Sequence, residues 1–490
     1  MEELDNLRQI RVKKLKALIK QGIDPYPAES VRTHIASQVL GSFSSLSKGK
    51  KKITLAGRLM SKREHGGLIF SDIQDESGRI QILFKKDELK NSDWGIIADL
   101  IDVGDFIEAT GNLFTTKRGE KTLLVSRFKL LTKTLRQLPE QWYGLTEHET
   151  RFRQRYLDLL INIEVKERFI ISHKITQAIR EFLIKDGFIE VETPALQPLP
   201  GGAIAAPFKT HYEALDTDVY LRIAPELYLK RLIVGGFEKV FEFARVFRNE
   251  GVSIQHLQEF TMLEFYQAYA TYEDLMKLTE KMLGSVIKQV LGTTKVKFGD
   301  KVIDFKTPWP RHNFRDLILK ETKIDIDKFP KVEDLQKEIK ARKITLTYKG
   351  KAGRGKLIDE LYKELVRPKL VNPMFLIDHP LDLSPLAKKK IDNPEKVQRF
   401  QLVVAGMEIV NAFSELNDPI DQANRFKEQV KHKKEGDKEA HLMDSDFVKA
   451  LEYGMPPTAG WGMGMERLIV LLTNAESIRE AVLFPFVKQK

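Results

Sequence analysis

Phe243-Ala244-Arg245-Val246-Phe247-Arg248-Asn249-Glu250-Gly251 and, past a short loop holding His256, Glu259-Phe260-Thr261-Met262-Leu263-Glu264-Phe265-Tyr266 read as strand, loop and strand. Side chains alternate along a strand, so Arg248 and Glu250 fall on one face of the first. Phe260, Met262, Glu264 and Tyr266 fall on one face of the second. Strands joined by a short loop pair antiparallel, because a parallel pair needs a long crossover. The pair then gathers an arginine, acids, a tyrosine and an exposed aromatic on one surface; the plain alternative is a salt-bridged sheet face. Outward from it, Val219–Ile223, Lys239–Phe247 and Glu259–Tyr266 follow each other through turns, with long helical segments at Val165–Lys185 and Thr271–Leu291. Residues 151–490 are therefore an α+β domain, an antiparallel sheet flanked by helices, with a lysine-rich helical insertion around 310–370.

Two later segments carry chemistry. In Gln401-Leu402-Val403-Val404-Ala405-Gly406-Met407-Glu408-Ile409-Val410-Asn411-Ala412-Phe413-Ser414-Glu415, Ala405-Gly406 can turn a hairpin. Gln401 and Glu408 then share a face as diagonal neighbours. Oxygen ligands on a sheet face suit Mg²⁺, which takes one or two protein oxygens beside water and phosphate. In Gly460-Trp461-Gly462-Met463-Gly464-Met465-Glu466-Arg467, alternate glycines permit close approach, and Arg467 falls in the first turn of an apolar helix. No glycine-rich phosphate loop stands between a strand and a helix, so any nucleotide must be held by side chains.

Towards the N-terminus, Leu4, Leu7, Ile10, Leu15, Leu18 and Ile19 recur at helical spacing over 4–21, with a basic face that reads either as solvated surface or as nucleic-acid contact. With this helix and a loop at 41–52, residues 1–50 form an amphipathic helix and connector. Over 51–131, strands at Ile53–Leu59, Gly67–Ile73 and Arg79–Phe84 precede a helical stretch at Lys86–Leu100 and strands at Phe106–Leu113 and Lys121–Leu130. That order is the order of an OB-fold barrel, a holder of single-stranded nucleic acid. Residues 132–150 are a polar linker.

The composition agrees. The charge of +11 fits a polyanionic partner, and the lack of cysteine excludes disulfides, thiolate metal sites and cysteine nucleophiles. No apolar run reaches the ~18 residues of a membrane span. Met1-Glu2-Glu3-Leu4-Asp5 has no apolar signal core, so a cytoplasmic protein is expected.

The quoted segments resemble motifs 2 and 3 of the class II aminoacyl-tRNA synthetases, with a metal-site hairpin between them. The helix ending in Gly187-Phe188-Ile189-Glu190-Val191-Glu192-Thr193-Pro194 resembles motif 1, usually a dimer-interface element. Gly201-Gly202-Ala203, Leu221-Arg222-Ile223-Ala224-Pro225-Glu226-Leu227-Tyr228-Leu229-Lys230-Arg231, Phe413-Ser414-Glu415-Leu416-Asn417-Asp418-Pro419 and Pro456-Pro457-Thr458-Ala459-Gly460 narrow the resemblance to the lysyl-tRNA synthetases of bacterial type, over nearly the whole chain.

The resemblance implies an ATP-dependent ligase that makes lysyl-adenylate, releases pyrophosphate and transfers lysine to the 3′ end of its tRNA. It implies that Arg248 holds the α-phosphate and the lysine carboxylate, and that Glu250 accepts from the adenine amine. Phe260 would stack on adenine, with Arg467 on the ring's other side. His256 would meet the terminal phosphates. Gly202 and Glu226 would take the α-amine. Tyr266 and Glu415, with Asn411 and Phe413, would take the ε-ammonium. Glu264 and Glu408, with Gln401, would hold or support Mg²⁺, in a number of ions left open. In the barrel, Arg63, Phe70, Gln81 and Glu120 would read the anticodon, whereas the plain alternative makes Phe70 barrel core. Partners implied are tRNA, lysine, ATP and a second copy of the chain through the motif 1 region.

The sequence departs from the family at Gln401, where a second glutamate is usual, at Ala206, where a basic residue is usual, and in the loop Ile254-Gln255-His256-Leu257-Gln258. Three rivals stand beside this reading: an aspartate- or asparagine-type synthetase, a lysine ligase that acts without tRNA, and a non-catalytic RNA-binding paralogue. A pocket for a carboxylate tail should present a cation, whereas Glu415 and Tyr266 suit an ammonium.

Overall fold

The computed structural model describes residues 2–49, 51–139, 147–203, 205–251, 253–254, 256–347, 353–434 and 443–488. Gln255 of the loop named above and residues 140–146 of the expected linker lie outside them. The chain divides into two units, Met1–Thr146 and Glu147–Lys490.

In the first unit, strands Ile53–His65, Leu68–Asp75, Gly78–Lys85, Phe106–Thr115 and Lys121–Thr132 close a barrel in the order first, second, third, fifth, fourth. Closure leaves no free strand edge. Alternation sends Ile69, Ser71 and Ile73 inward, where they are buried, and leaves Phe70 and Asp72 on the outer side. The helix Glu2–Lys20 caps this unit with buried Leu18. Its basic face is not all solvated surface. Arg11 donates to Thr134 Oγ1 at 2.7 Å and to the Val103 carbonyl at 2.9 Å, and Lys14 pairs with Asp102 at 2.6 Å. Asp102 also meets the buried Lys133, which reaches Asp105 at 2.8 Å. Residues 132–134 are therefore part of the barrel rather than linker.

Two local expectations change. Residues 41–52 are not simply loop, because Ala36–Gly41 and Phe43–Lys48 are short helices that bury Val39 and Phe43 against the barrel. The expected helix over Lys86–Leu100 forms only from Asn91: Lys86–Glu88 is a separate 3₁₀ turn, and Asn91–Gly95 runs directly into a π-helical stretch at Ile96–Leu100. Burial of Ile96 and Ile97 in the barrel core overrides local helical regularity.

The second unit is built on an eight-stranded sheet. Its order is Arg311–Asn313, Met374–Ile377, Arg399–Val404, Met407–Ser414, Thr458–Gly464, Glu259–Ala268, Lys239–Phe247, Ile189–Glu190. Only the outermost pair at each edge is parallel. Phe265 stacks on Trp461 with ring centroids 4.7 Å apart, in a core shared with buried residues of the helices Ile163–Lys185 and Tyr272–Leu291. That covers one face and leaves the other for Phe260, Met262, Glu264 and Tyr266, as alternation requires. The insertion has its own core, including Phe314, Ile318, Leu335 and Ile358, which also takes in Leu376 and Val403 of the sheet. Its expected start at 310 is corrected: Arg311–Asn313 is an edge strand of the sheet.

Candidate active site

The open face is a lattice of paired strands. Tyr266, Glu264 and Met262 stand opposite Gly460, Gly462 and Gly464. Gly460 and Gly462 face Phe413 and Asn411 on the other side. The column of glycines leaves a trough walled by side chains from both neighbours. A Cβ on Gly460 would stand 2.1 Å from Glu415 Oε1 and 2.4 Å from Tyr266 Cε1. No side chain fits there, so glycine makes the space.

Glu415, Glu226 and Lys230 form one end of this trough. Glu226 opens the helix Glu226–Val234, and Lys230 lies one turn later. Lys230 Nζ is 2.6 Å from Glu226 Oε1 and also pairs with Glu415 Oε2. All three are buried, and Lys230 is 0% exposed. Its ammonium lies 5.6 Å from the Phe413 ring centroid. Glu415 Oε1 has no hydrogen-bond partner among the described residues. Gly202 closes on the same group, with φ +84, and a Cβ there would be 2.8 Å from Glu226 Cβ. Tyr266 donates its hydroxyl to Glu264 Oε2 at 3.0 Å.

The electrostatics follow from too many acids around one ammonium. Burial pushes the Glu415 carboxyl up, to about 8, against the pull of Lys230 and with a further push from Glu226. Burial likewise raises Glu264, with Glu226 adding to it. Burial works against the Lys230 charge, but Glu226 and Glu415 outweigh it and hold the ammonium above its usual range.

Arg248, Glu250, His256 and Phe260 meet at the far end of the strand pair. One expectation is corrected: the first strand ends at Phe247, so Arg248 and Glu250 lie in the loop beyond it rather than on its face. The Arg248 amide still bonds to the Gln258 carbonyl at 2.8 Å, which keeps the loop's root paired. The Arg248 guanidinium is 5.1 Å from the Phe260 centroid, so Arg248 is the cation over that ring. Burial lowers the Arg248 pKa, opposed by Glu250. Arg467 donates to the Glu408 carbonyl at 3.1 Å. Burial and Arg467 lower His256, leaving it neutral at pH 7.

The hairpin at Ala405-Gly406 forms, with both residues at positive φ (51 and 71). A bulge between Leu402 and Val403 tightens the register, and Gln401 Nε2 donates to Glu408 Oε2 at 2.7 Å. Gln401 Oε1 lies 3.2 Å from His379 Nε2. Burial holds His379 well below its usual pKa, so it is neutral and its Nε2–H donates. Arg399 Nε donates to Asn411 Oδ1 at 2.8 Å and fixes that amide. The one trio of His, Asp or Glu ligands that converges among the described residues is His148, Glu476 and Glu480, none of them in this cluster.

The structure thus brings Gly202, Glu226, Tyr266, Phe413 and Glu415 to one end and joins Gln401 to Glu408. It shows three residues that sequence reading passed over: Lys230, Arg399 and His379. An acid and a lysine four apart on a helix read as a solvent-exposed pair, so nothing in the sequence marked Lys230 as buried.

In the barrel, Arg63 pairs with Phe70 across two strands, and Asp72 pairs with Gln81 across the next two. Phe70 is half-buried and absent from the barrel core. The Thr122 hydroxyl lies 2.9 Å from Gln81 Oε1 and 3.2 Å from the Glu120 carbonyl, which ties those two residues together.

This pairing of a barrel with a mainly antiparallel sheet has relatives. A family described as tRNA synthetases class II (D, K and N) matches residues 147–488, and one described as OB-fold nucleic acid binding domain matches 53–131. The fold is that of a class II tRNA synthetase, an ATP-dependent ligase. The chain is 48% identical over 489 residues to a lysine–tRNA ligase of Pelotomaculum thermopropionicum, covering 100% of this chain and 96% of that one. It is 48% identical to the lysine–tRNA ligase of Carboxydothermus hydrogenoformans, over 100% and 99% of the two chains. With that of Bacillus subtilis it shares 46% identity, over 100% and 98%. The chain belongs to the lysine–tRNA ligase family.

Proposed function

We propose that this chain activates L-lysine with ATP and transfers it to tRNA, and that the trough floored by Gly460 is the lysine site. The observation that carries this reading is Glu415 Oε1, a buried carboxylate oxygen without a partner, facing the space beside Tyr266. A buried acceptor left unpaired is costly, and an ammonium removes that cost. In the first step a lysine carboxylate oxygen attacks the α-phosphorus of ATP in line, and the bond to pyrophosphate breaks. In the second a ribose hydroxyl at the tRNA 3′ end attacks the lysyl carbonyl, and AMP leaves. Neither step needs a protein nucleophile; both need positioning and charge neutralisation. Arg248 and Arg467 supply charge at the phosphates, while Phe260 and Glu250 hold adenine. His256 meets the terminal phosphates. Gly202 and Glu226 receive the α-amine. Tyr266, Asn411 and Phe413 line the path to Glu415.

Mg²⁺ fits the residues present: Glu264 and Glu408 are carboxylates that both act on buried Arg248, with Gln401 as a neutral oxygen neighbour. Bound there, the ion would neutralise phosphate charge. The Gln401 amide now donates to the Glu408 oxygen that a cation would take. Gln401→Glu should therefore lower the Mg²⁺ concentration for half-maximal ATP–pyrophosphate exchange. An equal or higher requirement would separate position 401 from the metal.

We infer that two copies associate through the motif 1 region, where Ile163, Ile170, Ile184 and Ile189 are exposed at 67%, 43%, 53% and 52%. Tails of this kind seek burial. Among the described residues no helix is long and apolar enough to cross a membrane. We infer a cytoplasmic location from the proposed substrates alone. Exchange assays with each amino acid test the substrate: lysine alone should support rapid exchange, and equal exchange with aspartate or asparagine would overturn the assignment.

The lysine KM should also depend on pH. The raised Glu415 carboxyl holds its proton below about 8, and an ammonium needs the carboxylate. Lysine KM should fall between pH 6 and 8, by at most about tenfold per unit, while the ATP KM changes little. The other titratable groups in the pocket are Glu226, Lys230, Glu264 and Tyr266. A flat profile would mean that Glu415 is already ionised at pH 6.

A further inference from the structure

We propose that Lys230 is a positioning residue whose ammonium ties Glu226 to Glu415 and occupies Glu415 Oε2, so that Oε1 alone is presented to the substrate's terminal cation. This rests on the reading of the trough as the lysine site. The two carboxylates come from distant parts of the chain, one opening a helix and the other just beyond a sheet strand. Left to themselves in a site without water they would repel each other, and each would be free to turn. Lys230 bridges them from below, 2.6 Å from Glu226 Oε1 and in contact with Glu415 Oε2. Its ammonium is further hemmed in by the Phe413 and Phe447 rings, at 5.6 and 5.8 Å, so it has little room to move. Neither Glu415 oxygen has a hydrogen-bond partner among the described residues, but the Lys230 ammonium is ion-paired to Oε2, while Oε1 faces the gap above Gly460.

The arrangement has a consequence for selectivity. Oε1 sits at a fixed depth beside Tyr266, so one cation at one chain length meets it. Lys230 also keeps the empty pocket from holding two adjoining unpaired anions, which would otherwise attract any small cation. The same bridge sets the distance between the acid that would take the α-amine and the acid that would take the terminal ammonium. Lys230 touches neither the phosphates' arginine nor the Gln401–Glu408 pair among the described contacts, and its charge reaches the metal-side residues only through Glu264, so its larger effect should fall on the amino acid.

The test is Lys230→Met in the full chain, assayed by lysine-dependent ATP–pyrophosphate exchange and by calorimetric titration with L-lysine and, separately, ATP. The lysine KM and Kd should rise about 10- to 30-fold, with ATP binding within about threefold of wild type and kcat much less affected. A purely structural role for Lys230 would instead lower kcat and both affinities together, in step with the folded fraction seen by thermal unfolding. Unchanged lysine affinity in a folded Lys230→Met protein would overturn the proposal. Should that variant fail to fold, Lys230→Gln, one bond shorter and carrying an amide, keeps N–H donors while removing the charge, and the same criteria apply to it. Glu415→Gln run in parallel separates the two levels of inference. If Glu415→Gln weakens lysine and Lys230→Met does not, only the positioning role fails; if neither does, the lysine site itself is misplaced.

Discussion

Replacing Glu415 with Gln should raise the lysine KM far more than the ATP KM and lower kcat/KM for lysine by about 2–4 kcal/mol, or roughly 30- to 900-fold. The size follows from burial. Glu415 is 1% exposed, and its Oε1 has no partner among the described residues. An ammonium that leaves water for this site gives up its hydration and is compensated only by charge-assisted contact with that oxygen. Glutamine keeps the shape and one carbonyl acceptor but loses the charge. It also puts amide hydrogens where either the substrate ammonium or Lys230 must sit. Part of the loss is offset because the glutamate itself is costly to ionise, its carboxyl being pushed up to about 8. Steady-state exchange at pH 8 with lysine and ATP varied in turn would check this, and equal losses for both substrates would place Glu415 elsewhere.

Phe70→Ala should weaken aminoacylation at subsaturating tRNA by roughly 5- to 150-fold, the value of one base stack at about 1–3 kcal/mol. Lysine-dependent exchange should stay near wild type, because that half-reaction needs no anticodon. Phe70 lies on the outer side of its strand beside Arg63, while Ile69 and Ser71 point into the barrel. On the proposal that this face reads the anticodon, the half-buried ring would stack on a base, and Arg63, opposite Phe70, with Gln81 and Glu120 would read its edge. The alternative, in which Phe70 belongs to the core, makes a different forecast: several kcal/mol of stability lost, and both activities falling with the folded fraction. Thermal unfolding and both assays on one sample distinguish them. A large drop in melting temperature with loss of exchange would defeat the stacking role.

The sequence by itself determined whatever depends on local period and turn chemistry. Alternation put Phe260, Met262, Glu264 and Tyr266 on one face, and the strands pair as that requires. Ala405-Gly406 turned the hairpin that joins Gln401 to Glu408. Three strands, a helical stretch and two strands closed as a barrel. Long motifs carried the family. Where local signals met burial they failed: the helix from Asn91 widens into a π-helical stretch where Ile96 and Ile97 are buried, and the basic helix turned Arg11 and Lys14 toward the barrel. Arg248 and Glu250 left the strand face because the paired register stops at Phe247. What tertiary structure alone decided is which charges are buried together. Glu226 and Lys230 lie four apart on a helix, a spacing that on a free helix faces water. Only the arrival of Glu415 from a distant strand makes them a closed cluster, since desolvation and its compensation belong to the assembled pocket and to no segment of the chain.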